Sequence, residues 1–387
     1  MDPYRNPFAP GAGSRPPELA GRDQILDAAR VAAGRAVAGR SARSILLLGL
    51  RGTGKTVLLN EIGRNAERQG LFVSRVESPE GETLGRLIYP EMRKVVRSFS
   101  TVAAAKHIAS RGLSALRNFA SVLKIEVNNV SVAVEPEPGL ADTGDLKYDL
   151  PELFSLIGRA AQAADRGWLL LIDEVQYLSE PDLSALIVAM HRISQEGLPV
   201  LLVGAGLPQI ARLAGEAKSY AERLFQYPGV GPLDEAAARL AIQKPITEED
   251  AEIEPAALDA IVRRTRGYPF FIQEWASAAW NHADGPAITL EDADQSYVET
   301  LRLLDDGFFK VRIDQLTKAE IQFVKAMAAL GDGPYAMADI AAALARSQKS
   351  LGPARASIIA KGMIYSTDHG YLDFTVPLFA NFMRRQG

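Results

Sequence analysis

Ser44-Ile45-Leu46-Leu47-Leu48-Gly49-Leu50-Arg51-Gly52-Thr53-Gly54-Lys55-Thr56 is a short apolar run that breaks into a glycine-rich turn. A run of this length bounded by glycine reads as a strand buried on both faces. The turn, Gly49 to Thr56, matches the G-x-x-x-x-G-K-[ST] pattern of a phosphate-binding loop, and Lys55 to Gln69 behind it reads as a helix. Each residue type has a reason to be there. Glycines let successive backbone N–H groups turn inward onto phosphate oxygens. The N-terminus of the following helix adds the positive end of its dipole. Lys55 reaches the β and γ phosphates, and the Thr56 hydroxyl completes a magnesium shell. The expected phosphate-binding set is Gly49, Leu50, Arg51, Gly52, Thr53, Gly54, Lys55, Thr56 and Val57.

A second motif belongs with the first. Leu169-Leu170-Leu171-Ile172-Asp173-Glu174 is an apolar strand ending in two acids. Asp173 is placed to hold magnesium with Thr56. Glu174 stands where a carboxylate can polarise an attacking water. The chain has no N-K-x-D run for guanine, so ATP with Mg²⁺ is the expected ligand pair.

Outward from these motifs, strands alternate with helices to about residue 230. Strands are expected at 71–76, 168–172 and 199–203, with a short one near 225–230. Such alternation argues for a parallel sheet with crossover helices. Between the second and third strands lies more chain than a crossover needs. Two amphipathic helices are expected there, at 84–99 and 102–120, then a hairpin about Asn128-Asn129 and an acidic loop to Asp149. From residue 234 the strand signals stop, and helices are expected at 234–246, 255–266, 268–283 and 290–304. In the last 80 residues Thr317-Lys318-Ala319-Glu320 is a capping box. Helices at 338–345 and 351–361 follow, then a hairpin around Thr367-Asp368-His369-Gly370. Three helices and a hairpin form the winged-helix pattern. The expected organisation is an N-terminal arm over 1–20, an α/β core over 21–232 with an insertion at about 84–150, a helical lid over 233–306, and a winged helix over 307–387.

With these residues in view, the chain resembles AAA+ P-loop ATPases of the origin-initiator-like and STAND-related branch. Over most of its length it is similar to bacterial AAA family ATP-binding proteins. Pro17-Glu18-Leu19-Ala20-Gly21-Arg22 resembles the box that lies beside the adenine in that branch. The resemblance places an arginine finger at Arg223, with Arg212 as second choice, and a nucleotide-backing proline at Pro269 in Gly267-Tyr268-Pro269. It also shows two departures. The strand at 199–203 ends in Gly204-Ala205-Gly206 where the family carries a polar residue, and no sensor arginine stands in register near Arg264 and Arg266. Both point to slow turnover.

Composition bounds the rest. At 387 residues, 47% hydrophobic and 23% charged, the chain is no disordered protein and can bury two or three cores. It has no cysteine, which removes disulfides and thiolate chemistry, and its four histidines have no ligand spacing. The N-terminus lacks the apolar stretch of a signal peptide, and no run is long enough to span a bilayer, so a cytoplasmic protein is expected. The net charge of −4 conceals a split: residues 86–124 hold eight basic residues against one acid, and 307–387 hold ten against six. Basic amphipathic helices suit nucleic acid, anionic lipid or an acidic partner.

Three functional readings follow. The first is an ATP-hydrolysing regulator that engages DNA or a partner protein through residues 307–387 and the basic segment 86–124, possible as a homo-oligomer. The second is a STAND-like switch with little turnover that docks a protein. The weaker third is a peripheral membrane ATPase.

Overall fold

Three strands of the central sheet, Ser44–Leu48, Trp168–Asp173 and Val200–Gly206, are apolar on both of their alternating faces, so both faces must be covered. A computed structural model describes residues 1–11, 13–125, 139–376 and 378–386. These divide into two compact units, one of Arg22–Gly49 with Lys55–Val230, the other of Met1–Gly21, Leu50–Gly54 and Gly231–Gly387.

The first unit runs α1 (Asp23–Val37), β1 (Ser44–Leu48), α2 (Lys55–Arg68), β2 (Phe72–Glu77), α3 (Leu84–Ser100), α4 (Lys106–Val122), α5 (Leu146–Ala163), β3 (Trp168–Asp173), α6 (Glu180–Glu196), β4 (Val200–Gly206), α7 (Ile210–Ala217), α8 (Ala221–Leu224) and β5 (Phe225–Gln226). The five strands are parallel in the order β2-β3-β4-β1-β5. Ile45, Leu47, Leu169, Leu171, Leu201 and Val203 face α1 and α2. Leu46, Leu170, Ile172 and Leu202 face a larger core built from α3 to α6, where Phe99, Phe119, Phe154 and Trp168 are fully buried. Burying one such side chain contributes roughly 1.5–3 kcal/mol, so the two-sided cover is what holds the sheet.

The insertion is part of this core. Leu84, Ile88, Met92, Val95, Val96 and Phe99 form the buried stripe of α3, and Ala109, Leu116, Phe119 and Ala120 that of α4. The second helix begins at Lys106, four residues later than its apolar spacing predicts, because residues 101–105 form turns. The expected hairpin about Asn128-Asn129 lies outside the described residues.

The second unit contains α9 (Glu235–Glu248), β6 (Glu252–Ile253), α10 (Pro255–Thr265), α11 (Pro269–His282), β7 (Ala287–Ile288), α12 (Leu290–Leu304), α13 (Lys310–Ile313), α14 (Lys318–Ala329), β8 (Tyr335–Ala336), α15 (Met337–Ala343), α16 (Gln348–Ala360), β9 (Ile364–Asp368), β10 (Tyr371–Phe374) and α17 (Phe379–Arg385). The expectation that strands stop at residue 234 is corrected here. β6 and β7 form a two-stranded parallel pair, and β8 joins the C-terminal hairpin in the order β8-β10-β9. Two-residue strands are too short to show any alternation in sequence. The Thr317–Glu320 capping box forms as its sequence predicts.

A π-helical turn at Asp305–Phe309 links α12 to α13. It turns neighbouring phenylalanines onto different partners within one cluster. Phe308 stacks on Phe270 at 5.0 Å, and Phe309 stacks on Phe382 at 5.1 Å. The N-terminal segment packs within this same unit. Asn6 donates to the Ser277 carbonyl at 3.0 Å, Trp280 Nε1 donates to the Asp2 carbonyl at 2.9 Å, and Phe8 is buried.

Candidate functional site

Parallel topology gathers the chemistry at one edge of the sheet, beyond the C-terminal ends of the strands. β4 lies between β1, which leads into the glycine-rich loop, and β3, which ends at Asp173. The registers place Leu48 beside Gly206 and Ile172 beside Gly204. The loop is anchored at its start by the Gly49 amide, which donates to the Gly206 carbonyl at 3.0 Å. Gly52 and Gly54 have φ of +80° and +87°, the left-handed region that a side chain disfavours. Lys55 opens α2 and is buried. Val57, one turn into the helix, is partly buried.

Thr56 Oγ1 donates to Asp173 Oδ2 at 2.6 Å, bringing the two residues read as magnesium ligands together across 117 positions of chain. A hydroxyl and a carboxylate are hard oxygen donors of the kind magnesium takes. The inward-turned glycines and the helix N-terminus suit the phosphates. The residues present therefore fit Mg²⁺ and a nucleoside triphosphate. Burial pushes the Asp173 carboxyl above its ordinary range, and the Glu174 charge adds to that. The Thr56 hydroxyl, the Glu174 amide and the Lys55 ammonium pull it back. A bound cation favours the charged carboxylate in the same way.

Glu174 has φ +54° and ψ +40°, which costs a residue with a Cβ roughly 1–2 kcal/mol. Such strain marks a position fixed by its surroundings. The Glu174 amide donates to Asp173 Oδ1 at 2.9 Å, and Tyr177 N donates to the Glu174 carbonyl at 3.0 Å. The Glu174 carboxylate accepts from Gln176 Nε2. Sequence reasoning passed over Gln176. The signal for it was the small Gly204-Ala205-Gly206 end of β4, which leaves room for a neighbour.

The middle of the loop belongs to the second unit. Thr53 Oγ1 donates to the Leu50 carbonyl at 2.9 Å. The Arg51 amide donates to the Thr375 carbonyl at 3.2 Å, and the Phe270 amide donates to the Gly52 carbonyl at 3.2 Å. Gly362 has φ +64°, which favours glycine, and a Cβ there would lie 2.7 Å from an Arg51 guanidinium nitrogen. Pro269 is the first residue of α11, directly before Phe270. Gly267, with φ +71°, is required because a Cβ would meet the Leu233 carbonyl at 2.2 Å. Arg312 lies over the Phe308 ring at 3.7 Å. Burial, with help from the Arg51 charge, pulls its pKa down to about 10.

The remaining expected residues lie elsewhere. Arg223 is exposed on α8, while Arg212 forms a surface ion pair with Glu216 at 2.7 Å. Arg264 is held in the helical unit by the Ala293 carbonyl at 3.0 Å and over the Tyr297 ring at 4.5 Å. Of the basic residues on and beside α16, two face inward. Arg355 donates to Ser366 Oγ at 2.9 Å, and Lys361 pairs with the buried Glu320 at 2.7 Å. Arg346 and Lys349 are exposed. In the insertion, Arg86, Arg93 and Arg97 recur at a spacing that lines one face of α3. Arg93, Arg97 and Arg117 all act on the buried Tyr89 phenol. Burial raises its pKa and the three charges oppose that rise.

Residues 18–203 match the family model described as AAA ATPase domain, and residues 306–383 match one described as a domain of unknown function. No curated protein sequence matches the chain. Among solved structures, a Walker-type ATPase of Pyrococcus abyssi is similar at TM-score 0.56 and 16% identity, covering 96% of this chain and 97% of that one. A RuvB of Thermotoga maritima has TM-score 0.47 and 16% identity over 95% and 96% of the two chains. The ORC1 protein of Aeropyrum pernix, solved in complex with DNA, has 0.47 and 14% over 95% and 93%. Among the described residues no helix is long and apolar enough to cross a membrane. Residues 18–203 are thus similar to the AAA ATPase domain family, and the α/β fold with its five-stranded parallel sheet is similar to that of a Walker-type ATPase.

Proposed function

We propose that this protein binds and hydrolyses ATP with Mg²⁺ and acts as a nucleotide-dependent regulator whose C-terminal domain engages a macromolecular partner. In this reading Gly49 to Val57 cradle the phosphates, with Lys55 on the β and γ groups. Thr56 and Asp173 hold the metal, which when bound neutralises phosphate charge. Glu174 takes the proton from the attacking water. Pro269 backs the nucleotide.

The observation that carries the regulatory part is the loop itself. Its amide at Arg51 and its carbonyl at Gly52 are hydrogen-bonded to Thr375 and Phe270. The Arg51 amide has one proton, so if it turns onto a phosphate oxygen it must leave the Thr375 carbonyl, and in this reading ATP binding is felt at Thr375. Amide exchange tests this. ATP binding is expected to change protection at Arg51 and across residues 362–376. Unchanged protection there, with ATP bound, contradicts it.

The C-terminal order helix, strand, helix, helix, strand, strand supports a winged helix. DNA is the partner favoured by the exposed Arg346 and Lys349 and by the basic face of α3, since phosphate contacts dominate such binding. A second reading, a slow switch that docks a protein, is favoured by the inward-facing Arg355 and Lys361. Binding to duplex DNA with a steep fall in log affinity against log salt supports the first; no binding at low salt supports the second.

A further inference from the structure

The end of β4 lies between the loop strand and the Asp173 strand, yet its sequence from Val200 to Gly206 offers no polar side chain. The polar group there comes from a different element. The 3-10 turn Val175–Tyr177 follows Glu174 and packs over the end of β4. Gln176 Oε1 accepts from the Leu207 amide at 3.1 Å, just past that end. This fixes the amide's orientation: with its oxygen on a backbone N–H, its nitrogen must face Glu174, where it donates to Oε2.

The glycines of β4 are the other half of the same arrangement. A Cβ at Gly206 would lie 2.3 Å from Gln176 Oε1 and 2.3 Å from Ile210 Cδ1. A Cβ at Gly204 would lie 2.9 Å from Val175 Cγ2. The strand end is small because the turn after Glu174 fills the space.

We infer that Gln176 is a positioning residue for hydrolysis: it holds the Glu174 carboxylate in register with the end of β4. The inference rests on the proposed role of Glu174 as the base. One carboxylate oxygen is tethered to the amide, which leaves the other to accept a proton from water. The tether also couples the geometry of Glu174 to β4 rather than to the flexible end of its own side chain.

The test measures ATP turnover and ATP affinity in the full chain for Gln176→Ala, Gln176→Glu, Gly206→Ala and Glu174→Gln. Gln176→Ala is expected to lower kcat about tenfold while leaving the Kd for ATP within about twofold, because misplacing a catalytic group costs rate rather than binding. Gly206→Ala, whose methyl displaces the Gln176 amide, is expected to show the same pattern. Gln176→Glu cannot donate to the Glu174 carboxylate and is expected to lower kcat at least as far, again with the Kd for ATP within about twofold. Wild-type kcat in Gln176→Ala overturns the inference, as does an equal loss of affinity and rate. Wild-type turnover in Glu174→Gln overturns the base assignment itself, whatever Gln176 does.

Discussion

The α/β unit and the C-terminal unit use their charged residues in opposite ways. In the α/β unit, Lys55 is buried at the start of α2 and Asp173 at the end of β3, where Thr56 donates to Asp173 and Gln176 donates to Glu174. In the C-terminal unit, Arg355 and Lys361 belong to the basic excess of residues 307–387, yet both are turned onto partners within the fold. Lys361 is the clearest case. It bonds to Glu320 and to the Gln315 carbonyl, closing the base of the unit. A charge at a position that chemistry dictates is informative, whereas a charge on a helix is informative only once its neighbours are known.

The strongest way to break that comparison is Lys55→Ala. If Lys55 is the phosphate ligand, ATP affinity should fall about 100-fold or more, the loss of a charge-assisted contact to phosphate. Titration with a fluorescent nucleotide reads this. Retained affinity would make the buried lysine structural, like Lys361.

Arg223 sharpens the comparison from the surface side. It is exposed on α8, and as the proposed arginine finger it would reach the phosphate of another copy of the chain. Arg223→Ala is expected to lower turnover at least about tenfold, less than the largest arginine-finger effects. Mixing it with Lys55→Ala subunits should restore part of the rate. A mixture as inactive as its parts would place Arg223 outside the reaction.

In the C-terminal unit the expected effect is on stability. Burial pushes the Glu320 carboxyl up, but hydrogen bonds from Lys361, Ser357 and Thr317 outweigh it and hold the pKa at about 2. A carboxyl depressed in the folded state stabilises above its ordinary pKa and loses that contribution as pH falls toward the folded value. The loss therefore lies between about 4.5 and about 2. Lys361→Met should cost roughly 2–3 kcal/mol at neutral pH, below the range for a fully buried pair because Lys361 is 29% exposed. It should also flatten stability against pH in that window, as read by urea unfolding. A change under about 0.5 kcal/mol would return Lys361 to the surface set, where Arg212→Ala belongs.

Much of this was legible in the sequence, for physical reasons. The loop at Gly49–Thr56 and the Leu169–Glu174 strand are constrained residue by residue, so their pattern specifies their place. The helices of the insertion were legible because Leu84, Ile88, Met92 and Phe99 keep a helical period that burial demands. What escaped depends on contacts between distant positions. Two-residue strands carry no period. The π-helical turn at Asp305–Phe309 keeps the helical pattern and shifts it by one residue. Gln176 and Thr375 act through partners distant in sequence, the Leu207 and Arg51 amides, and no local spacing announces either. The glycines at 204 and 206 read as a missing polar residue, when they are the space into which Val175 and Gln176 pack.

The most direct measurement is phosphate release by Glu174→Gln set beside its affinity for ATP. The account predicts ATP affinity close to wild type with turnover reduced about 100-fold or more, the range a general base contributes. Wild-type phosphate release from Glu174→Gln, at full ATP occupancy, would contradict it.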